Sequence, residues 1–420
     1  MPEVEKYDVL VVGAGPAGLS AAFNAFTGSN RVGLIDDNPA AGGQIYRPSQ
    51  GKTHPWVGMS VALLDKVGIT VQCGLSAVDA PDPGILAVQS FNGKRLLRYE
   101  KLILCTGARE LFLPFPGWTL PNAMGVGGLQ ALVKSGLDVA GRRIVVAGSG
   151  PLLLAVADYL KKHDGLVVGL FEQAPMASLK QFGLSMLGYP SKWMQGLALG
   201  ASVGRMLRAD SWVVEAGGRS RVEWVKARTP KGEEQIECEY LACAYGFVPS
   251  NELAVLLGCA TRNGFVTVDD LQQTSIANVY CAGEPTGIGG VDLSTTEGRI
   301  AGLAASGRED QARSVLGRRE RWRQFAANLD TTFAPRPELK DLVTPETIVC
   351  RCEDVTAARL SSPDCGRAAK LHTRCGMGPC QGRICGPATK FLYGWDQGSV
   401  RPPLYPVPIA ALADSEPTNG

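Results

Sequence analysis

Two groups of residues in this chain have types and spacings that can do chemistry. The first is made of thiols. Six of the twelve cysteines lie between Cys350 and Cys385. Their order is Cys350-x-Cys352, then 22 residues, then Cys375-x4-Cys380, with Cys385 five further on. Four thiolates in two close pairs can surround a metal centre. A tetrahedral zinc site prefers Cys-x2–4-Cys pairs, and Cys-x-Cys is tight for that. A Rieske-type centre needs two histidines, and only His372 is near. Disulfides do not suit a reducing compartment. Ligand type and spacing therefore favour a 2Fe-2S cluster on Cys350, Cys352, Cys375 and Cys380, with Cys385 as a substitute ligand and Cys365 as packing. The run HTRCGMGPCQGRICG is glycine-rich, which lets backbone N–H groups turn toward cluster sulfurs.

The second group is a glycine turn. Gly13, Gly15 and Gly18 match G-x-G-x-x-G directly after an apolar strand, with Pro16 and Ala17 opening a helix. The first glycine permits the turn, the second lets backbone approach a pyrophosphate, and the third lets helix and strand pack closely. The helix N-terminus then faces the phosphates. Asp36 stands where an acid binds a ribose hydroxyl, with Asp37 as the fallback. Three further segments favour FAD as the dinucleotide, the last two because they resemble flavin-binding segments of two-dinucleotide flavoproteins. Gly42-Gly43-Gln44 follows the second strand. Cys105-Thr106-Gly107-Ala108 follows the strand at Lys101. The run NVYCAGE, with Gly283 and Glu284, leads to Gly287, Gly289, Gly290 and a helix. The last acid usually is Asp in such flavoproteins; here it is Glu284.

These groups need a scaffold. YDVLVVGAGPAGLSAA at Tyr7 recurs as RRIVVAGSGPLLLAVA at Arg142, each a strand, a glycine turn and an Ala/Leu-rich helix. Each is followed by a strand ending in an acid, Asp36 or Glu172. Short Val/Ile/Leu runs alternate with helical stretches to about residue 335, the pattern of a parallel sheet covered by helices. In the second copy Gly148 and Gly150 are kept but Leu153 takes the third position. That keeps the architecture and makes NAD(H) a doubtful ligand, with Glu172 left as its ribose ligand if it binds. The stretch Ala174–Arg205 is amphipathic and Met/aromatic-rich, either subdomain packing or a partner surface. Ala334–Pro345 holds three prolines and reads as a linker. The expected organisation is a discontinuous FAD domain over 1–115 and 245–330, an NAD-type fold over 116–244, a 2Fe-2S domain over 340–400, and a tail over 401–420.

Composition narrows the function. Lys plus Arg is 42 and Asp plus Glu is 40, too balanced for a nucleic-acid binder. Only three histidines are present, so histidine-built zinc chemistry is nearly excluded. Tyr7–Phe26 is apolar but carries Asp8, Asn24 and the glycine turn, so no transmembrane segment is expected. Acids precede any apolar run at the N-terminus, which argues against a signal peptide and for a cytoplasmic protein with reduced thiols. The chain has no Cys-x-x-Cys, the thiol pair of a disulfide reductase.

GAGPAG with GGQ, the block Thr106–Gly136, AGSGPLLLA, CRCEDVT and TRCGMGPCQGRICG together resemble the α subunits of bacterial dye-linked amino- and imino-acid dehydrogenases. Opine oxidase, hydrogen cyanide synthase and D-hydroxyproline dehydrogenase are of this type. The resemblance covers nearly the whole chain. It implies an α/β flavoprotein with two dinucleotide-binding domains, glutathione-reductase-like, and a small C-terminal iron–sulfur domain. It also implies an electron-transfer subunit, with amine oxidation on a D-amino-acid-oxidase-like flavoprotein β subunit joined, in some complexes, by a small ferredoxin-like γ subunit. The competing reading is a self-sufficient NAD(P)H-dependent flavin reductase that feeds its own cluster.

Overall fold

The computed structural model describes residues 4–91, 93–396 and 400–409. The chain divides into two compact units. The first comprises Met1–Arg109, Pro249–Ala326 and Ser399–Gly420; the second comprises Glu110–Val248 and Ala327–Gly398.

The first unit is built on a sheet whose centre is parallel. Glu5–Val12 lies between Val32–Asp36 and the long strand Gly93–Leu104, and Thr70–Cys73 continues the sheet beyond Val32–Asp36. Val279–Cys281 joins the end of Gly93–Leu104 in parallel. Ile85–Ser90 and Ser76–Asp82 extend the sheet as antiparallel strands. Val32–Asp36 is buried at every position, as a strand covered on both faces must be. Registers pair Val12 with Ile35 and with Leu104, and Leu104 with Cys281. Four strand ends therefore finish level, and the segments that follow them share one edge of the sheet.

Two helices cover one face there. Pro16–Ala25 begins with proline, whose missing N–H costs nothing in a first turn. It packs on Gly290–Ala305, whose buried positions are mostly small. Gly298 and Gly302 meet the carbonyls of Ala17 and Ala21, so the helices touch backbone to backbone. Near the chain's end, Leu404 is buried in this unit and its N–H donates to the Val78 carbonyl at 2.8 Å. Of the expected tail 401–420, residues 410–420 lie outside the described residues.

The second unit repeats the plan. Its parallel sheet runs Leu207–Ala209, Leu166–Glu172, Arg143–Gly148, Tyr240–Ala244, Ala123–Met124. A three-stranded antiparallel sheet, Trp212–Gly217, Trp224–Thr229 and Gly232–Glu237, accompanies it. The cysteine segment belongs to the same unit. It holds a small hairpin of Ile348–Cys350 with Val355–Thr356, and the helices Gly366–Thr373 and Cys385–Tyr393. Val349, Val355, Leu360 and Ala369 form its core together with Cys350, Cys375 and Cys385.

The proline-marked stretch is not a free linker, and the expectation on this point is corrected. Pro337–Leu342 forms a 3-10 turn whose Leu339 and Leu342 sit in the core of the second nucleotide fold. Trp118 donates its indole N–H to the Ile348 carbonyl at 2.5 Å. Among the described residues, no helix is long and apolar enough to cross a membrane.

Candidate functional site

The four level strand ends of the first unit bring the sequence-selected residues to one edge. Gly13 has φ +104°, and a Cβ there would stand 2.2 Å from the Cys105 carbonyl oxygen. A Cβ on Gly18 would stand 1.6 Å from the Gly13 carbonyl oxygen. Both positions admit glycine alone, because the helix leaves the strand with no space between them. The helix starts at Gly15 with no side chain capping it. Its first N–H groups therefore point outward unpartnered by side chains, which suits an anion. Gly15 and Gly43 face each other, so this part of the edge is bare backbone. Bare backbone beside an uncapped helix start is the cradle that a dinucleotide pyrophosphate requires, and these residues fit FAD.

Asp36 closes the turn. Its carboxylate accepts from the Ala14 N–H at 2.5 Å and the Asn38 N–H at 2.8 Å. Asp37 follows it with a carboxyl raised by burial and by the neighbouring Asp36 charge. The Gly42 N–H donates to the Ala14 carbonyl at 2.8 Å, which ties the Gly43–Gln44 segment to the glycine turn. Gln44 accepts from Arg47 at 3.0 and 3.1 Å, and Arg47 reaches Asn38 at 3.2 Å. Sequence reasoning missed Arg47, although it is the only cation between Asp37 and Pro48.

The other two strand ends are fixed from within the unit. Thr106 donates its hydroxyl to the Ser250 carbonyl at 2.5 Å, and the Ser250 N–H returns a bond to Gly107. Glu284 lies on the 3-10 turn Glu284–Thr286 and accepts from the Gly290 N–H at 2.9 Å. Burial pushes its carboxyl up to about 7. Glu297, also missed, is buried on the helix below. It accepts from the Gly283 N–H at 3.0 Å and from Thr286 Oγ1 at 2.8 Å, and pairs with Arg323 at 3.3 Å. An acid inside the small-residue helix Gly290–Ala305 was the available signal.

The second glycine turn is closed differently. Leu153 is buried in the core with Val126, Ile144 and Val156. Glu172 accepts from the Gly150 N–H at 2.7 Å, the Ala174 N–H at 2.9 Å and Ser149 Oγ at 3.2 Å. Burial raises it to about 7. A segment of the chain then crosses these strand ends. Ser149 donates to the Phe333 carbonyl at 2.8 Å, and Gln173 Nε2 to the Ala334 carbonyl at 3.0 Å. The Arg336 N–H donates to Gln173 Oε1 at 3.2 Å, its guanidinium pairs with Asp210, and it lies 4.7 Å over the Trp212 ring. Residues 333–336 thus strap the carboxyl ends of three adjacent strands, the edge where a nucleotide rests in this fold.

In the cysteine segment, the sulfurs of Cys350, Cys375 and Cys385 all lie within 4.8 Å of one another and are buried. Cys380 neighbours Cys385 and Cys352, and each influences the other's protonation, so five free thiols share one neighbourhood. Cys365 is exposed at the start of Gly366–Thr373 rather than packed. The backbone N–H groups of Gly376 and Glu353 lower Cys350, and those of Ile384 and Gly382 lower Cys380. Bonds from neighbouring thiols hold Cys350 far below the ordinary thiol range, Cys375 first, and hold Cys380 at about 5, Cys385 first. Thiols approached by backbone N–H groups are a donor set that fits an iron–sulfur centre. Cys385, assigned from sequence as a substitute, stands among the most central of the five.

Comparison with known proteins agrees with this geometry. The pyridine nucleotide-disulphide oxidoreductase family matches residues 7–301. An opine oxidase subunit of Agrobacterium tumefaciens (strain Ach5) is 30% identical over 466 residues, covering 97% of this chain and 91% of that protein. Hydrogen cyanide synthase subunit HcnB of Pseudomonas protegens is 30% identical over 459 residues, covering 97% of each. The crystal structure of L-proline dehydrogenase from P. horikoshii superposes with a TM-score of 0.72 at 19% identity, over 98% of this chain and 81% of that one. That likeness describes the fold.

Proposed function

Because the chain belongs to the pyridine nucleotide-disulphide oxidoreductase family, among the relatives of the opine oxidase subunit described above, and of HcnB, we propose that it is the electron-transfer subunit of a hetero-oligomeric amino- or imino-acid dehydrogenase. The donor is of D-hydroxyproline, opine or glycine type, and amine oxidation takes place on a partner flavoprotein subunit of the D-amino-acid-oxidase type. The observation that carries this reading is one chain with a bare dinucleotide cradle, a five-thiol group and a strapped second fold.

In this proposal FAD lies on Gly13, Gly15, Pro16, Ala17 and Gly18, with Asp36 and Asp37 at the ribose and Gly43 and Gln44 beside them. Thr106, Gly107, Gly283, Glu284 and Gly290 complete the seat. Cys350, Cys375 and Cys380 hold the cluster, together with Cys352 or Cys385. A bound flavin exchanges electron pairs with an organic donor and single electrons with an iron–sulfur centre. The chain's own residues supply position. The outward N–H groups at Gly15 favour the negative pyrophosphate by ~0.3–1 kcal/mol through the helix dipole. Asp36 holds the Ala14 amide and so the shape of the turn. Glu297 anchors the Gly283 amide, and with it the segment carrying Glu284. Burial holds the Glu284 carboxyl up at about 7.

The competing reading, a self-sufficient NAD(P)H reductase, needs an open second nucleotide seat. The strap at 333–336 and the buried Leu153 count against it. The test is to purify the chain alone and together with a flavoprotein subunit of the D-amino-acid-oxidase type from the same organism. The lone chain should carry FAD, oxidise no amino acid and resist bleaching by NADH. The pair should reduce a dye acceptor with an amino- or imino-acid donor. A lone chain that oxidises an amino acid at full rate would end the subunit reading, and rapid bleaching by NADH would restore the reductase.

A further inference from the structure

The second unit exposes an apolar face that its own fold does not use. Helices Met176–Ser185 and Pro190–Val203, joined through the turn Met186–Gly188, follow the strand that ends at Glu172. Met176, Leu184, Leu187, Trp193, Met194 and Leu197 are between 38% and 69% exposed. Pro190–Val203 is 14 residues long and buries only Val203. A helix in water draws most of its stability from a packed apolar side, and this one has its apolar side facing out.

The charges that these two helices and the turn after them carry are all cationic. From Gln173 to Met206 there is no acid, while Lys180, Lys192 and Arg205 fall within the stretch; Arg208, on the strand that follows, is paired with Glu234. The whole chain is balanced, 42 cations to 40 acids, so the imbalance is local. Large apolar patches with a polar rim mark interaction sites.

We propose that this face docks the amine-oxidising flavoprotein subunit, which meets it with an apolar patch rimmed by carboxylates. The proposal rests on the subunit reading above. A protein occupant fits better than a lipid surface. Anionic membranes are drawn by dense clusters of roughly 4–8 basic residues, whereas Lys180, Lys192 and Arg205 are spread singly along the two helices and the turn after them. Methionine-rich surfaces adapt to a partner's relief, and Met176 and Met194 are among the exposed residues. Gly200 has no atom within 4 Å of where a Cβ would sit, so a partner can approach the helix backbone there.

The experiment uses the full chain co-expressed with the flavoprotein subunit, followed by size exclusion with light scattering. The variant is Met194→Glu with Leu197→Glu, which puts acid among the exposed apolar side chains of the face. The control is Leu132→Glu, on the separate helix Val126–Lys134 and also exposed. The variant should weaken assembly by roughly 100-fold, the scale of losing an interface anchor. Its flavin spectrum and melting temperature should match wild type, and the control should assemble normally. Wild type and variant assembling equally well overturns the proposed face and leaves the subunit reading intact. Wild type that never assembles overturns both. Binding to vesicles of phosphatidylcholine with phosphatidylglycerol that the variant loses, or a self-dimer that the variant breaks, overturns the proposed occupant.

Discussion

Replacing Gly298 by alanine tests the flavin seat through its geometry. The new Cβ would stand 2.1 Å from the Ala17 carbonyl oxygen, against the 3.4 Å at which ordinary contact begins, a shortfall of about 1.3 Å. The contact atom is backbone, so no side chain can swing aside. Helix Gly290–Ala305 must move away from helix Pro16–Ala25, whose first turn is the proposed phosphate cradle. Overpacking of this kind costs roughly 1–3 kcal/mol. For a unit of this size each kcal/mol is ~2–4 °C, so the melting temperature should fall by about 5 °C. Bound flavin should fall with it, because the displaced helix carries Ala17 and Gly18. Gly200→Ala is the matched control in an exposed helix with open space at the site; it should raise stability by ~0.5–1 kcal/mol through helix propensity. The assays are thermal unfolding by circular dichroism and the ratio of flavin to protein absorbance. A Gly298→Ala protein that keeps its full flavin and melts with wild type would refute the close-packed seat.

Cys375→Ser and Cys380→Ser should each abolish the cluster's visible and electron paramagnetic resonance signals while flavin stays bound, and Cys365→Ser should change neither; zinc without acid-labile sulfide in the wild type would sink the iron–sulfur assignment. Glu172 carries a stability dependence on pH. Burial lifts it from 4.5 to about 7, so in that window the folded chain keeps a proton that the unfolded chain has lost, and stability falls as pH rises through it. By pH 8 the charged carboxylate costs up to roughly 3 kcal/mol. Glu172→Gln should shrink this slope by its own share, leaving the share of Glu284, read as urea midpoints at pH 5 and 8; equal slopes in both proteins would contradict the assignment.

Much of the first unit was legible because its signals are local. A glycine turn, a strand ending in acid, and the short segments at Thr106 and Glu284 each declare themselves within a few residues, and parallel strands must bring their ends to one edge. Leu153 declared the altered second turn in the same way. The strap did not. Its bonds join Ser149 to Phe333 and Gln173 to Ala334, across more than 160 residues, and end on carbonyls that every sequence has. Leu339 and Leu342 are single leucines among prolines and charges, so nothing marked them as core. The thiol group was half legible. Cys375, Cys380 and Cys385 are evenly spaced, and even spacing cannot say which thiols turn inward. Glu297 and Arg47 act by holding backbone and amide groups, and such roles leave no spacing rule.

The way the cysteine segment is fastened bears on how the chain could have evolved. Leu339 and Leu342 are sunk in the second fold's core, Trp118 grips Ile348, and Arg351 lies 5.6 Å over the Trp118 ring. A domain on a slack tether can be traded between genes as a cassette. This one would arrive elsewhere with its anchoring leucines exposed and leave an open core behind. Thiol module and second nucleotide fold therefore share one core, and a substitution at Leu339, Leu342 or Trp118 is felt by both.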